Sequence, residues 1–218
     1  MYDRRRFIKT ILGFLGGMGL SFGVFTAGIR AAFAKAKRII LAKGTRLSTL
    51  VGKDPAELDP RNLNLTPVEE FGTMGLDNYH VDLNKWRLEI GGHVQRPVNL
   101  KYAQLTEIPL VQRDVLLICP GFFAYYGRWK GVSVARLLDM AQAKSDVTHV
   151  SFSGPEGSYE KTEQFSIEEI RSGKVFLPYN VNGRALPTKH GFPLLVVAED
   201  HYGGTWVKFV CKITANKA

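Results

Sequence analysis

Cys119 ends an uninterrupted apolar run, Val115–Cys119, and is followed at once by Pro120-Gly121. The run reads as a buried strand, and the Pro-Gly pair turns the chain sharply at its end. A thiol at a strand end facing a cavity is placed to bind a soft metal or to react. A lone cysteine is more commonly an inert, buried side chain, so the position alone leaves both readings open. The other cysteine, Cys211, lies within the apolar run Trp206–Ile213 and is expected to be inert. Two cysteines are too few for a disulfide framework, although an exported protein could pair them. The five histidines (His80, His93, His149, His190 and His201) are scattered, with no metal-ligand spacing among them or with the cysteines. Taken singly, His190 reads as a structural histidine near a turn and Lys208 as a solvated strand residue.

The elements that must position these groups are interspersed strands and short helices. Trp86–Ile90 alternates apolar and polar residues, a strand ending at Gly91-Gly92, and Tyr102–Glu107 suits a short helix. Ser133 is placed to cap a helix whose apolar face is Val134, Leu137, Leu138 and Ala141. Thr148–Phe152 alternates as a strand. Ser166-Ile167-Glu168-Glu169 has the form of a capping box, with Phe165 and Ile170 spaced as a hydrophobic staple. Pro193–Ala198 and Thr205–Thr214 are expected as the last strands, and Gly44–Asn78 as an irregular, polar approach segment. The fold class is therefore α+β: a single mixed, strand-rich domain preceded by an N-terminal apolar leader helix.

That leader opens with Arg4-Arg5-Arg6-Phe7-Ile8-Lys9, followed by twenty uncharged residues, Thr10–Ile29. Paired arginines, then an aromatic, an aliphatic and a lysine, have the form of a twin-arginine export signal. An ordinary secretory signal or membrane anchor also places basic residues before an apolar run. Six glycines weaken the stretch as a spanning helix, though its length suffices to cross a bilayer. Ala32-Phe33-Ala34 offers a cleavage site, and cleavage or retention as an anchor stays open. The chain is expected to be periplasmic or otherwise exported. Residues 1–34 are then leader or anchor, 35–70 the approach segment and 71–218 the main domain. Five of the 29 basic and one of the 20 acidic residues belong to the leader, which leaves 24 and 19 in a body of about 184 residues, net +5. The surplus is mild and spread out, unlike the basic stripe with interleaved aromatics that nucleic-acid binding needs.

Three motifs in register carry a resemblance. Cys119 is followed ten residues later by Trp129-Lys130-Gly131-Val132-Ser133-Val134 and by Leu137-Leu138. Asn182-Gly183-Arg184-Ala185-Leu186-Pro187 precedes His190-Gly191-Phe192-Pro193, and Tyr202-Gly203 precedes Trp206-Val207-Lys208. In order and spacing, over roughly residues 71–213, the chain resembles the sulfite-oxidase-type molybdopterin-binding domain. Glu70-Phe71-Gly72-Thr73 further resembles the exported methionine-sulfoxide-reductase branch, which also uses a twin-arginine leader. The resemblance implies a Mo-molybdopterin cofactor, with molybdenum held by a pterin dithiolene and a phosphate tail. It makes Cys119 the catalytic metal ligand. It places Glu69, Glu70, His190 and Lys208 with Cys119 as cofactor-binding residues, Lys208 at the phosphate.

Departures from the pattern accompany it. Leu195 stands where the family usually has an arginine that fixes the pterin, a planar fork that a lysine does not replace. Lys189, Arg184 or Arg128 are the cations that could compensate. Thr66 stands for an expected asparagine, and Gly154 for a threonine of the reductase branch. The stretch after Cys119 reads Phe122-Phe123-Ala124-Tyr125-Tyr126, without the arginine that sulfite oxidases present to an anionic substrate. These aromatics either shape an apolar mouth or simply pack. The expected function is exported molybdenum-dependent oxygen-atom or two-electron transfer on a small substrate. No Cys-x-x-Cys-His haem attachment occurs in the sequence, so electrons would pass to or from a separate membrane or soluble cytochrome or a quinone-linked partner. The alternative is an exported binding or assembly subunit that kept the fold and lost the cofactor.

Overall fold

The computed structural model describes residues 38–157 and 161–217. The expected leader lies outside them. Among the described residues no helix is long and apolar enough to cross a membrane.

Fifteen short regular elements follow one another: β1 (Ile39–Ile40), β2 (Leu58–Asp59), β3 (Leu88–Gly92), β4 (Val98–Leu100), α1 (Tyr102–Thr106), β5 (Leu110–Cys119), β6 (Phe123–Ser133), α2 (Val134–Met140), β7 (His149–Ser153), β8 (Thr162–Ser166), α3 (Ile167–Arg171), β9 (Val175–Val181), β10 (Arg184–Ala185), β11 (Val197–Ala198) and β12 (Lys212–Asn216). They build two five-stranded sheets. One runs β10-β9-β6-β5 with β11 also on β9, all antiparallel. The other runs β4-β3-β12-β7-β8, antiparallel except for the parallel β3–β12 pair. Side chains of both sheets, among them Leu117, Trp129 and Leu177 of the first and Ile90, Phe152 and Ile213 of the second, share one buried core. The strand-rich α+β expectation holds.

The apolar run ending at Cys119 is buried because β5 is covered on both faces. Val115 and Leu117 point into the main core, whereas Leu116 and Ile118 join a second cluster with Leu41, Leu50, Leu58, Leu63 and Tyr126. The segment before residue 71 is thus more than an irregular approach: its leucines form the cover over one face of β5 and β6. Each of these fully buried aliphatic side chains contributes about 1.5–3 kcal/mol through removal from water.

Local signals hold where they are short-ranged. Ser133 caps α2 by accepting from Arg136 N at 3.4 Å, and Val134, Leu137, Leu138 and Ala141 are buried on one face. Ser166 and Glu169 form the capping box of α3, with Phe165 and Ile170 buried beside it. The last strands differ from expectation. Of Pro193–Ala198 only Val197–Ala198 is strand, on β9. Thr205–Thr214 is not one strand: Gly203–Thr205 is a 3-10 turn, Phe209 takes a left-handed φ of 56°, and regular pairing resumes only at Lys212. Trp206, Val207, Phe209 and Val210 are all buried, so packing rather than a ladder accounts for the apolar run. β6, β8 and β9 have no counterpart in the sequence reading.

Candidate functional site

The C-terminal end of β5 opens on a cavity of about 430 Å³. This is within the range of small-molecule sites. Cys119 sits on its wall, registered against Phe123 across a tight turn in which Phe122 N donates to Cys119 O at 3.0 Å. The sulfur is partly exposed, and burial pushes the thiol up from its ordinary pKa. Unaided, it is protonated at neutral pH; coordination to a soft metal would deprotonate it.

His190 comes from the 3-10 turn Thr188–His190 and also lines the cavity. It is 3% exposed and stands edge-on to Phe71 and Tyr125 at centroid distances of 5.7 and 6.5 Å. Its Nε2 is buried without a hydrogen-bond partner. Burial, with Lys189 and Lys208 adding to it, lowers its pKa to about 4, so the imidazole is neutral at physiological pH. A buried polar atom left unpaired costs about 1–3 kcal/mol.

Lys208 reaches the same cavity from the irregular chain before β12. An isolated bridge, Leu195–Lys208, aligns it with the buried Leu195. Gly191 makes the approach of the two segments feasible. Its φ is 104°, and a Cβ there would lie 2.8 Å from Lys208 Cβ. The Lys208 ammonium donates to Met74 O at 2.9 Å, Leu76 O at 3.1 Å, Lys189 O at 2.9 Å and Thr73 Oγ1. These four oxygens share an ammonium with three donors.

The other residues singled out from sequence fall elsewhere. Glu69 and Glu70 lie in a 3-10 turn, are exposed, and do not border the cavity; Glu69 pairs with Arg184 at 2.5 Å. Their placement among the cofactor contacts is therefore not supported by geometry, because the Val68–Glu70 turn buries Val68 and directs both carboxylates to solvent. Arg128 makes a two-pronged pair with Asp114, 2.7 Å on each arm, and Arg184 is held by Glu69, so neither supplies a cation to the cavity. Lys189 contributes its carbonyl to Lys208. Thr66 is buried and structural: its Oγ1 accepts from Tyr126 N at 3.0 Å and its carbonyl from Asn182 Nδ2 at 2.8 Å. The aromatic cluster divides. Phe123 and Tyr125 form the wall, Phe122 stands 69% exposed at the mouth, and Tyr126 packs into the cover on the opposite face. Tyr125 stacks on Phe71 at 3.9 Å with an angle of 12° between the rings.

Two cavity residues were not legible in the sequence. Met74 brings its Sδ to 3.3 Å from Cys119 Sγ across 45 residues of chain. Lys161 lines the cavity and donates to Trp206 O at 3.3 Å and to Gly204 O. Both depend on long-range contacts and carry no local signature. Met74 does adjoin the Glu70–Thr73 motif, the single hint available.

Among the described residues no three of His, Cys, Asp and Glu come together as a metal site. The arrangement instead offers one soft thiol, one unpartnered imidazole nitrogen, two ammonium groups and aromatic walls. That set suits a planar heterocyclic ligand that brings its own metal and an anionic tail. The family described as "Oxidoreductase molybdopterin binding domain" matches residues 75–218. Among solved structures, the chain is similar to the crystal structure of the sulfane dehydrogenase SoxCD from Paracoccus pantotrophus. The TM-score is 0.60 at 22% identity, over 64% of this chain and 40% of that one. The chain thus spans about two fifths of that protein's length; the likeness is one of fold.

Proposed function

Because the chain belongs to the oxidoreductase molybdopterin-binding domain family, its cofactor is molybdopterin and it is an oxidoreductase; we propose that the cavity at Cys119 holds the cofactor and carries out oxygen-atom or two-electron transfer on a small substrate. The observation that carries this reading is the pairing, on one cavity, of a thiol at a strand end with His190, whose Nε2 is buried without a hydrogen-bond partner.

Bound molybdenum supplies two-electron redox chemistry and oxygen-atom transfer. Cys119 gives the thiolate ligand, and its raised free pKa means that the thiolate is stable only under coordination. His190, neutral at physiological pH, would help hold the heterocycle, as donor or acceptor according to its tautomer. Lys208 and Lys161 are the cations available to the phosphate, since Leu195 brings none. Phe123 and Tyr125 exclude water on one side and leave an apolar mouth. A small uncharged substrate suits that mouth better than an anion. The Glu70–Thr73 segment favours the methionine-sulfoxide-reductase branch. Export by the twin-arginine route rests on Arg4–Lys9, and an external cytochrome or quinone-linked partner on the absence of a haem-attachment motif in the sequence.

The test is metal and pterin analysis of protein purified from a host that makes the cofactor. The expected result is about one molybdenum and one pterin per chain. Protein that folds there without either contradicts the reading.

A further inference from the structure

Residues 72–76 cross the cavity without regular secondary structure. Five contacts hold them. Lys208 donates to Thr73 Oγ1, Met74 O and Leu76 O; Thr73 Oγ1 donates to Lys189 O at 3.0 Å; and Met74 Sδ stands 3.3 Å from Cys119 Sγ. Gly75 has a φ of 71°, a left-handed turn that lets Met74 dip toward the thiol. Met74 is itself 49% exposed, so a large apolar side chain has been left half in solvent to cover one sulfur. Among the described residues, the Lys208 ammonium, bonded to three carbonyl oxygens and a hydroxyl, forms no salt bridge, and Asp77 acts on it only from farther off. Burial lowers its pKa to about 8. Neutral oxygens are weaker partners for a buried cation than an anion is.

We propose that residues 72–76 form a strap over Cys119, that Lys208 is its latch, and that the cofactor's phosphate opens it by drawing the Lys208 ammonium away from the strap oxygens. The last step rests on the function proposed above; the covering of Cys119 does not. Site access and anion binding are then coupled through a single side chain. The strap narrows access to the Cys119 sulfur until the ligand that needs it arrives.

The first measurement uses cofactor-free full-length protein carrying Cys211→Ser, so that Cys119 is the one thiol. Its alkylation rate by iodoacetamide is followed by mass spectrometry. Met74→Ala removes the cover at an exposed position, Gly75→Val strains the left-handed turn, and Lys208→Ala removes the latch. Each should speed alkylation of Cys119 by about tenfold or more, the scale set by losing one charge-assisted contact or its equivalent. Rates equal to the parent in Met74→Ala and Lys208→Ala overturn the strap. The second measurement is cofactor uptake by the same proteins. Gly75→Val, which keeps Lys208, should load faster than the parent, and Lys208→Ala should lose retention. Unchanged loading in Gly75→Val overturns the coupling. Faster alkylation with no pterin bound by any of them, the parent included, leaves the strap standing and removes the functional reading instead.

Discussion

The two cysteines are chemically the same group in two different settings. Both are partly buried and free, and burial raises the pKa of both. Cys211 precedes β12, with Sγ 3.4 Å from Gly154 O, and Glu89 and Glu156 raise its pKa further. It borders a separate recess of about 700 Å³ that includes those two carboxylates. Cys119 has no such acidic neighbours raising it and faces a cavity that also holds His190, Lys161 and Lys208. The difference lies in what a thiolate would meet. At Cys211 it would meet carbonyl oxygens and carboxylates; at Cys119 it would meet the Met74 thioether and a cavity whose wall elsewhere carries Lys161, Lys208 and His190. Electrostatic surroundings, and not burial or residue type, distinguish the two cysteines.

The comparison breaks first under exchange of the sulfurs. Cys119→Ser should abolish turnover, by more than the roughly 10–100-fold typical of losing an outer-shell partner of a metal, while Cys211→Ala leaves turnover near the parent value. Steady-state rates of the two loaded variants decide it, and equal losses would erase the distinction. Next, Ile118→Ala separates scaffold from chemistry. Ile118 is fully buried beside Cys119 yet packs into the cover. Its truncation should lower unfolding stability by about 2–5 kcal/mol, read from denaturant melts, while the metal stays bound in the protein that remains folded. Lys208→Ala should weaken cofactor retention by about ten- to a hundredfold, equivalent to roughly 1.5–3 kcal/mol, measured as molybdenum left after dialysis. The last effect is on pH dependence. The folded His190 has its pKa lowered from 6.5 to about 4, so between those values the unfolded chain binds the extra proton. Its contribution is complete above about pH 6.5 and lost as pH falls toward 4, a slope of at most about 1.4 kcal/mol per pH unit. Melts of the cofactor-free parent and His190→Gln should converge toward acid; parallel curves would place a charged imidazole in the cavity.

Cys119 was legible because every signal around it is local: an apolar run, then Pro-Gly. The helix caps at Ser133 and Ser166 were legible for the same reason. β6 was hidden because it carries aromatics on both faces, Tyr125 toward the core and Tyr126 toward the cover, so no period of two stands out. The cover itself was hidden because scattered leucines such as Leu41, Leu50 and Leu63 show no periodicity until β5 lies beneath them. Lys208 was placed by resemblance, but its bonds to Thr73, Met74 and Leu76 join segments more than 130 residues apart. Nothing local in the sequence specifies such a contact. Glu69 and Glu70 adjoin the cavity motif in sequence, but their 3-10 turn leaves both exposed and away from the cavity lining.

The central claim is that the Cys119 sulfur is the protein ligand of a molybdenum bound in this cavity. X-ray absorption at the molybdenum edge of loaded parent protein and Cys119→Ser reads it directly, because the scattering shell counts sulfur neighbours. The account predicts one fewer sulfur at molybdenum in Cys119→Ser and an unchanged count in Cys211→Ala. An identical sulfur shell in the parent and Cys119→Ser would contradict it.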